Sequence, residues 1–318
     1  MSAALLKVAF AGPLVTIQDG GRFGAMRFGV PASGPMDRFA HAAANVALGR
    51  PAGAGAIEVS LGGLVLDCLE GGVTLALAGG GFTVDHGGVR AGGWCVRSLR
   101  AGERFAVRPG RWGAWCTLAV LGDLEAPEWL ESRATHSVSG LGGGAIATGA
   151  ELRVAAARID PALEGDIPFP VTARPRPRLR AVIGPQDRHF TADALAAFPA
   201  SVFTVTPACD RMGMRLAGPP LTLRDALAIP SEPIVRGSVQ VAGDGVATLL
   251  HADHQTTGGY PKIATVISCD LDQAAQLRPR DRIGFELVDA DAAVDLVRTR
   301  ARRDARYFER LAQRRAGV

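Results

Sequence analysis

The sequence predicts a mainly β protein of two related β units followed by one amphipathic helix. Three observations carry that prediction. The 318 residues include 40 glycines and 20 prolines but few aromatics, a balance that favours short strands and tight turns over long helices. A segment recurs: Leu99-Arg-Ala-Gly-Glu-Arg-Phe-Ala-Val107 and Leu277-Arg-Pro-Arg-Asp-Arg-Ile-Gly-Phe285 share a leucine, two arginines, an acid and alternating apolar residues in register. Each reads as a polar turn feeding a strand, and the recurrence as two related β units. Near the C-terminus Val294, Val297, Ala301, Phe308 and Ala312 return at helical spacing, the mark of an amphipathic helix.

Taken in order, the first half opens with a strand over 8–17 and a glycine-rich loop over 18–35. The alanine-rich stretch 37–48 has helical periodicity, an N-terminal Asp37 and a following Gly49, the residues that start and stop helices. Short strands are predicted at 56–60, 64–68, 73–78, 94–99, 105–108 and 115–121. Pro161, Pro168, Pro170, Pro175 and Pro177 then crowd one stretch. Such a run continues neither a helix nor a central strand and reads as a semi-rigid linker. Beyond it, strands are predicted at 179–183, 203–206, 215–217, 239–241, 247–251, 262–268 and 282–287, with a short helix at 192–198. The expected organisation is therefore a β unit over 1–160, a linker over 161–178, a second β unit over 179–288 and a basic helix over 289–318.

Charge and cysteines narrow the class. The net charge is +4, yet eight arginines fall between 298 and 315 against Asp304 and Glu309. The positive balance is thus a property of the tail, which reads as a solvated, docked helix rather than a nucleic-acid arm. No apolar run reaches the roughly 18 residues of a membrane span, and the N-terminus lacks a signal-peptide pattern. The five cysteines form no CxxC pair, which fits reduced, buried thiols in a cytoplasmic protein. No Cys/His set has zinc spacing, so no metal is expected.

Chemistry concentrates in one loop. Residues 251–266 read His-Ala-Asp-His-Gln-Thr-Thr-Gly-Gly-Tyr-Pro-Lys-Ile-Ala-Thr-Val. Lys262 is one of only two lysines, the other being Lys7, and Tyr260 is one of two tyrosines. Where arginine serves nearly every other basic position, a lysine in a Gly-Gly loop invites a chemical reason, because it acts as a compact point charge. Thr256 and Thr257 offer hydroxyls, Gly258 and Gly259 bare backbone N–H groups, and Gln255 a donor and an acceptor together. That set suits a planar amide or ureido group.

Three further clusters stand out. Asp19 and Arg22 sit where the first strand delivers them to the glycine-rich loop, whose N–H groups can face an anion; the plain alternative is an ordinary connection closed by the Asp37 cap. Arg211 can hold a carboxylate through two parallel hydrogen bonds, or form a salt-bridged turn with Asp210. Glu232 beside Lys262 can serve as a general base, or be a solvated turn residue. There is no phosphate loop, no dinucleotide fingerprint, no Gly-x-Ser-x-Gly elbow and no biotinylation motif, so ATP or biotin requires a partner protein.

The strings VTIQDGGRFG, GVPASGPMD, AIEVSLGG, CDRMGMRL and above all DHQTTGGYPKIATVIS resemble the biotin-dependent carboxyltransferase family, which also goes by allophanate hydrolase subunit 2, kinase-A-inhibitor antagonist and the C component of 5-oxoprolinase. The resemblance runs from about Leu5 to Val288 and departs in the turn after Ser231-Glu232 and in the basic tail. It implies cyclophilin-like β-barrels and a subunit 1-type partner, with a third catalytic subunit in the 5-oxoprolinase system. It implies ATP-dependent opening of 5-oxoproline to glutamate, with ATP bound alongside partner subunits. The alternative is carboxyl transfer from carboxybiotin on a separate carrier to urea or a related amide nitrogen. A second alternative is a regulatory protein that antagonises a kinase inhibitor. On the first reading Lys262 and backbone N–H groups stabilise an oxyanion and Glu232 or Asp253 handles the proton. Arg211 or Arg22 holds the substrate carboxylate.

Overall fold

The computed structural model describes residues 3–224 and 229–315. The chain divides into two compact units. The first comprises the described parts of Met1–Arg22, Ser33–Arg174 and Asp304–Val318; the second comprises Phe23–Ala32 and the described parts of Pro175–Arg303.

Two sheets make the first unit. One has seven strands, in the spatial order Asp123–Leu124, Glu151–Ala155, Ala3–Ala11, Leu64–Glu70, Arg104–Arg108, Thr83–His86 and Val89–Gly92. The other has six: Gly165–Asp166, Cys95–Arg100, Gly72–Ala78, Trp115–Val120, Ala56–Ser60 and Thr16–Gln18. Leu6, Val8, Leu66 and Phe105 of the first sheet share a core with Leu75, Leu77, Ile57 and Leu118 of the second. Residues of Ala3–Ala11 alternate between core and solvent over most of the strand, as a sheet with one wet face requires. Trp115–Val120 is buried at every position, because the helix Arg38–Ala47 covers its other face. Ala40, Ala43, Ala44 and Ala47 lie there against Ala76, Ala78 and Ala119. Asp37 caps this helix as the sequence predicts, its Oδ1 accepting from Ala40 N at 2.8 Å.

The predicted strand over 8–17 is instead two strands. A Cβ on Gly12 would stand 2.3 Å from Gly62 Cα, so the backbones cross in contact and the chain must turn through Pro13. The hairpin of Thr83–His86 and Val89–Gly92 was not predicted. Its turn is Gly87-Gly88 at φ 59° and 77°, the two positive angles of a type I′ turn. Within the proline-rich stretch, Gly165–Asp166 pairs with Val96 and Cys95, and Ile167 N–H donates to Trp94 carbonyl at 2.8 Å.

The second unit is a closed seven-stranded barrel. Its order is Arg178–Ile183, Lys262–Val266, Ser238–Val241, Ala247–Leu250, Gly213–Ala217, Val202–Cys209 and Arg282–Leu287. All pairings are antiparallel except the closing one, Arg178–Ile183 with Arg282–Leu287. Closure removes both sheet edges. The helix Ala192–Ala200, capped by Thr191, sets Phe198 into the core. The Phe198 ring stacks on Phe285 with centroids 4.4 Å apart.

The repeated segment forms the same turn twice. Glu103 accepts from Arg100 N at 2.8 Å, and Asp281 accepts from Arg278 N at 2.8 Å. In each the acid's own N–H returns to the arginine carbonyl, at 2.9 and 3.0 Å.

The C-terminal helix runs Ala290–Arg315. Of the face expected from its periodicity, Val297 and Phe308 point inward, whereas Val294, Ala301 and Ala312 are exposed. Burial is confined to its ends: Ala293 and Val297 pack with Ile267 and Cys269, while Phe308 and Leu311 pack with Phe39. The arginine-rich middle is solvated. Among the described residues no helix is long and apolar enough to cross a membrane. The five cysteines are free thiols.

Candidate functional site

The site candidates of the second unit gather around one strand end. Lys262 begins the barrel strand Lys262–Val266, next to Gln240 of Ser238–Val241. Glu232 lies on a separate two-stranded ribbon, where Glu232–Pro233 pairs with Thr257–Gly258. The ribbon thus ties the carboxylate to the Gln-Thr-Thr-Gly-Gly loop.

Burial makes Lys262 unusual. Its side chain is 7% exposed, and its Nζ stands 3.6 Å from Glu232 Oε2. No hydrogen-bond acceptor reaches that ammonium among the described residues. A buried donor without an acceptor costs roughly 1–3 kcal/mol, more when charged. An arrangement of that cost is expected where an acceptor arrives from outside. Glu232 is 43% exposed, so the pair spans from buried cation to solvent-facing carboxylate.

Gln186 joins the two, and sequence reasoning missed it. Its Nε2 donates to Glu232 Oε2 at 2.6 Å, and its Oε1 accepts from Lys262 N at 2.9 Å. It enters from the turn after Arg178–Ile183, 76 positions before Lys262. Gly184 opens that turn: a Cβ there would stand 2.2 Å from Lys262 carbonyl oxygen. The Gly-Pro-Gln string was the available signal.

The loop residues divide by role. Gln255 Nε2 donates to Gln240 Oε1 at 2.9 Å. A Cβ on Gly258 would meet Ile234 at 2.7 Å and Gln240 Nε2 at 3.0 Å, so glycine there permits close packing. Gly259 similarly faces Ile229 carbonyl oxygen, at 2.9 Å from an added Cβ. Thr256 is buried, with its carbonyl accepting from Ile234 N at 2.9 Å. Thr257 and Tyr260 are exposed, placing a hydroxyl and a phenol at the rim.

Asp253 and Arg211 form a pair of their own. Arg211 Nε reaches Asp253 Oδ2 at 2.9 Å and Nη2 reaches Oδ1 at 3.0 Å. Both side chains are fully buried. The two-point carboxylate grip expected of Arg211 exists, but its carboxylate belongs to this chain, and the partner is Asp253 rather than Asp210. Asp210 instead caps Met212 N at 2.7 Å. His251 lies nearby, fully buried, with neither ring nitrogen hydrogen-bonded among the described residues. Burial, then the Arg236 and Arg211 charges, push it down to about 3. Burial also lowers His254, whose Nδ1 lies 2.7 Å from Gln255 carbonyl oxygen.

Asp19 and Arg22 belong to the first unit. Asp19 accepts from Gly21 N at 2.9 Å, Ser132 Oγ at 2.7 Å and Arg133 N at 2.6 Å. Arg22 is buried and donates to Trp129 and Ala134 carbonyls, each at 2.8 Å. Its guanidinium lies 4.4 Å from the Trp129 ring centroid. Both side chains pin the 18–22 stretch to the 129–135 loop. No group of three or more potential metal ligands occurs among the described residues.

The chain is similar to known proteins along most of its length. The family model "Carboxyltransferase domain, subdomain A and B" matches residues 28–287. The C component of the Haemophilus influenzae 5-oxoprolinase is 34% identical over 286 residues, covering 89% of this chain and 91% of that protein. The Escherichia coli protein of the same name is 32% identical and covers 98% of both chains. The crystal structure of TTHA0988 superposes with a TM-score of 0.79 at 32% identity, over 89% of this chain. This chain spans about half, 55%, of the TTHA0988 chain. The Kluyveromyces lactis urea carboxylase shares the fold, with a TM-score of 0.84 at 22% identity over 96% of this chain and 29% of that one.

Proposed function

The chain belongs to the carboxyltransferase-domain family, and on that premise we propose that it is a subunit of an ATP-dependent 5-oxoprolinase, opening 5-oxoproline to glutamate with partner subunits. The observation that carries this reading is the buried, acceptor-less ammonium of Lys262 beside the Glu232 carboxylate, under a loop rich in donors.

A lactam presents a flat N–C=O group. Its oxygen, placed at Lys262 Nζ, supplies the missing acceptor. Charge that develops on that oxygen during ring opening is then stabilised by a fixed cation in a dry setting, where such an interaction is strongest. Glu232, half-exposed and held by Gln186, takes a proton from the water that attacks the lactam carbon and returns it to the ring nitrogen as the C–N bond breaks. Thr257 and Tyr260 at the rim close over the substrate. The Arg211–Asp253 pair supports the loop from behind rather than touching the substrate.

ATP supplies the free energy that makes lactam opening favourable. Lys262, already facing Glu232, does not suit a polyphosphate, and the chemistry assigned to these residues involves none. The natural partners are a subunit 1-type protein and a third catalytic subunit, in the cytoplasm.

The test is 5-oxoproline-dependent ATP hydrolysis by the purified complex. Lys262→Met should lower it by about 10²–10³ while the complex still assembles. Undiminished activity removes Lys262 from the chemistry. A planar urea would fit the same grip, so carboxylation of urea with a biotinylated carrier, and no turnover of 5-oxoproline, would transfer the assignment to a carboxyltransferase.

A further inference from the structure

The seven-stranded sheet of the first unit ends on an open edge. Val89–Gly92 is its last strand, and among the described residues no strand pairs with its outer side. In a hairpin with a two-residue turn, the pair flanking the turn exchanges both main-chain bonds, and every second pair exchanges none. Here the flanking pair is His86 with Val89, so Arg90 and Gly92 belong to the pairs without bonds. The Gly93 N–H, donating to Phe82 carbonyl at 2.8 Å, continues that alternation. The N–H and C=O groups of Arg90 and Gly92 therefore point outward, away from Thr83–His86. The space beside them is open: a Cβ on Gly92 would meet nothing within 4 Å.

Arg90 and Gly92 also line a cleft of about 980 Å³ that the chemistry above does not use. Arg111 and Arg174 stand on its other walls. All three arginines are exposed, and none meets a carboxylate among the described residues. Arg90 is held by Thr83 Oγ1 at 3.2 Å. Arg174 closes against Trp112 and Phe169, at 5.7 and 5.8 Å from their ring centroids, which fixes its charge at the cleft wall. The one acid lining the cleft, Asp166, lies 3.5 Å from Arg97. On the opposite face of the edge strand, Val89 is 67% exposed.

We propose that this edge receives an extended acidic segment of a partner chain as an added strand. Main-chain bonds to Arg90 and Gly92 hold the segment and set its register. Side chains alternate along a strand, so one set of the segment faces the three arginines and the other falls beside Val89. The first set is acidic, because guanidiniums grip carboxylates through paired N–H groups. The second set is apolar. The arginines also repel a second copy of the same edge, since like charges set opposite one another destabilise a strand pair. They thus guard the edge against indiscriminate pairing while selecting for an acid. The inference does not rest on the 5-oxoprolinase reading and concerns residues of the other unit.

The experiment titrates the full chain into a fluorescein-labelled hexapeptide, Glu-Val-Glu-Val-Glu-Val, read by fluorescence anisotropy. Its lysine counterpart and two N-methylated forms, one blocked at the glutamates and one at the valines, serve as controls. The acidic peptide should saturate below about 1 mM, with the lysine peptide at least about tenfold weaker. One N-methylated form should lose binding to the same extent, because only one set of N–H groups in an added strand faces the edge. Gly92→Pro removes an outward N–H and no bond to Thr83–His86. It should weaken the acidic peptide about tenfold with the melting temperature unchanged. Arg111→Glu reverses an exposed charge and should weaken it about tenfold as well. Absence of acidic-peptide binding, equal binding of the lysine peptide, full binding of both N-methylated forms, or full binding by Gly92→Pro would each overturn the proposal. Dimerisation in analytical ultracentrifugation that Gly92→Pro abolishes would overturn it too, and would assign the edge to a second copy of the chain.

Discussion

Replacing Arg211 by methionine separates a structural role from a substrate-binding one. Arg211 and Asp253 are both 0% exposed and meet at 2.9 and 3.0 Å. Removing the guanidinium takes two charge-assisted hydrogen bonds from a fully buried carboxylate, which costs about 3–5 kcal/mol for a broken buried pair. At about 2–4 °C per kcal/mol, the second unit should melt roughly 6–20 °C lower. A double variant, Arg211→Met with Asp253→Leu, removes both charges together and should recover most of the loss, because a buried pair swapped for apolar side chains of similar volume is often neutral. Urea unfolding followed by circular dichroism, run on parent, both single variants and the double variant, gives the coupling directly. The reasoning fails if Arg211→Met costs under about 1 kcal/mol while the complex shows a sharply raised KM for 5-oxoproline. That pattern would return Arg211 to the substrate.

The other expectations address the site and its surroundings. In the assembled complex Lys262→Met should lower kcat by about 10²–10³, the loss typical of a missing oxyanion donor, with little change in melting temperature. Gln186→Leu removes the side-chain tie that holds the Glu232 carboxylate to the start of the Lys262 strand and should lower kcat without altering assembly; an unaffected kcat would make Gln186 a packing residue. Burial holds His251 down to about 3 and His41 to about 4, against 6.5 in the unfolded chain. The unfolded state therefore takes up these protons first, so stability is complete above about 6.5 and falls as the pH drops toward 4, by up to about 1.4 kcal/mol per pH unit for each histidine. His251→Leu should flatten that slope in urea titrations between pH 7.5 and 4.5, and an unchanged slope would exclude His251 as its source. Asp37→Ala removes a helix cap and should cost about 1 kcal/mol.

Local chemistry was legible in the sequence where a residue's neighbours in the chain decide its state. The Asp37 cap, the strands at Ala56–Ser60 and Arg282–Leu287, and the twin turns at 100–103 and 278–281 all follow from short patterns, and the structure bears them out. The sequence suggested Glu232 beside Lys262, and the ribbon pairing of Glu232–Pro233 with Thr257–Gly258 is what brings the two together. Gln186 was hidden because a bridge across 76 residues leaves no periodicity. The Arg211–Asp253 pairing was hidden for a related reason: each side chain invites a ligand when read alone, and only burial shows that they satisfy one another. The short ribbon strands were missed because Pro233 and Gly258 are poor strand formers, held there by register rather than propensity.

The ribbon has a consequence for how competence is lost. The ribbon that carries Glu232 pairs two residues per strand, with the Gln186 hydrogen bond as a further tie, and isolated ribbons that short are marginal in water. The acid can therefore detach while every barrel strand stays paired. Heat or mild urea should silence the protein well before spectroscopy registers unfolding, so inactivation and denaturation curves will part company.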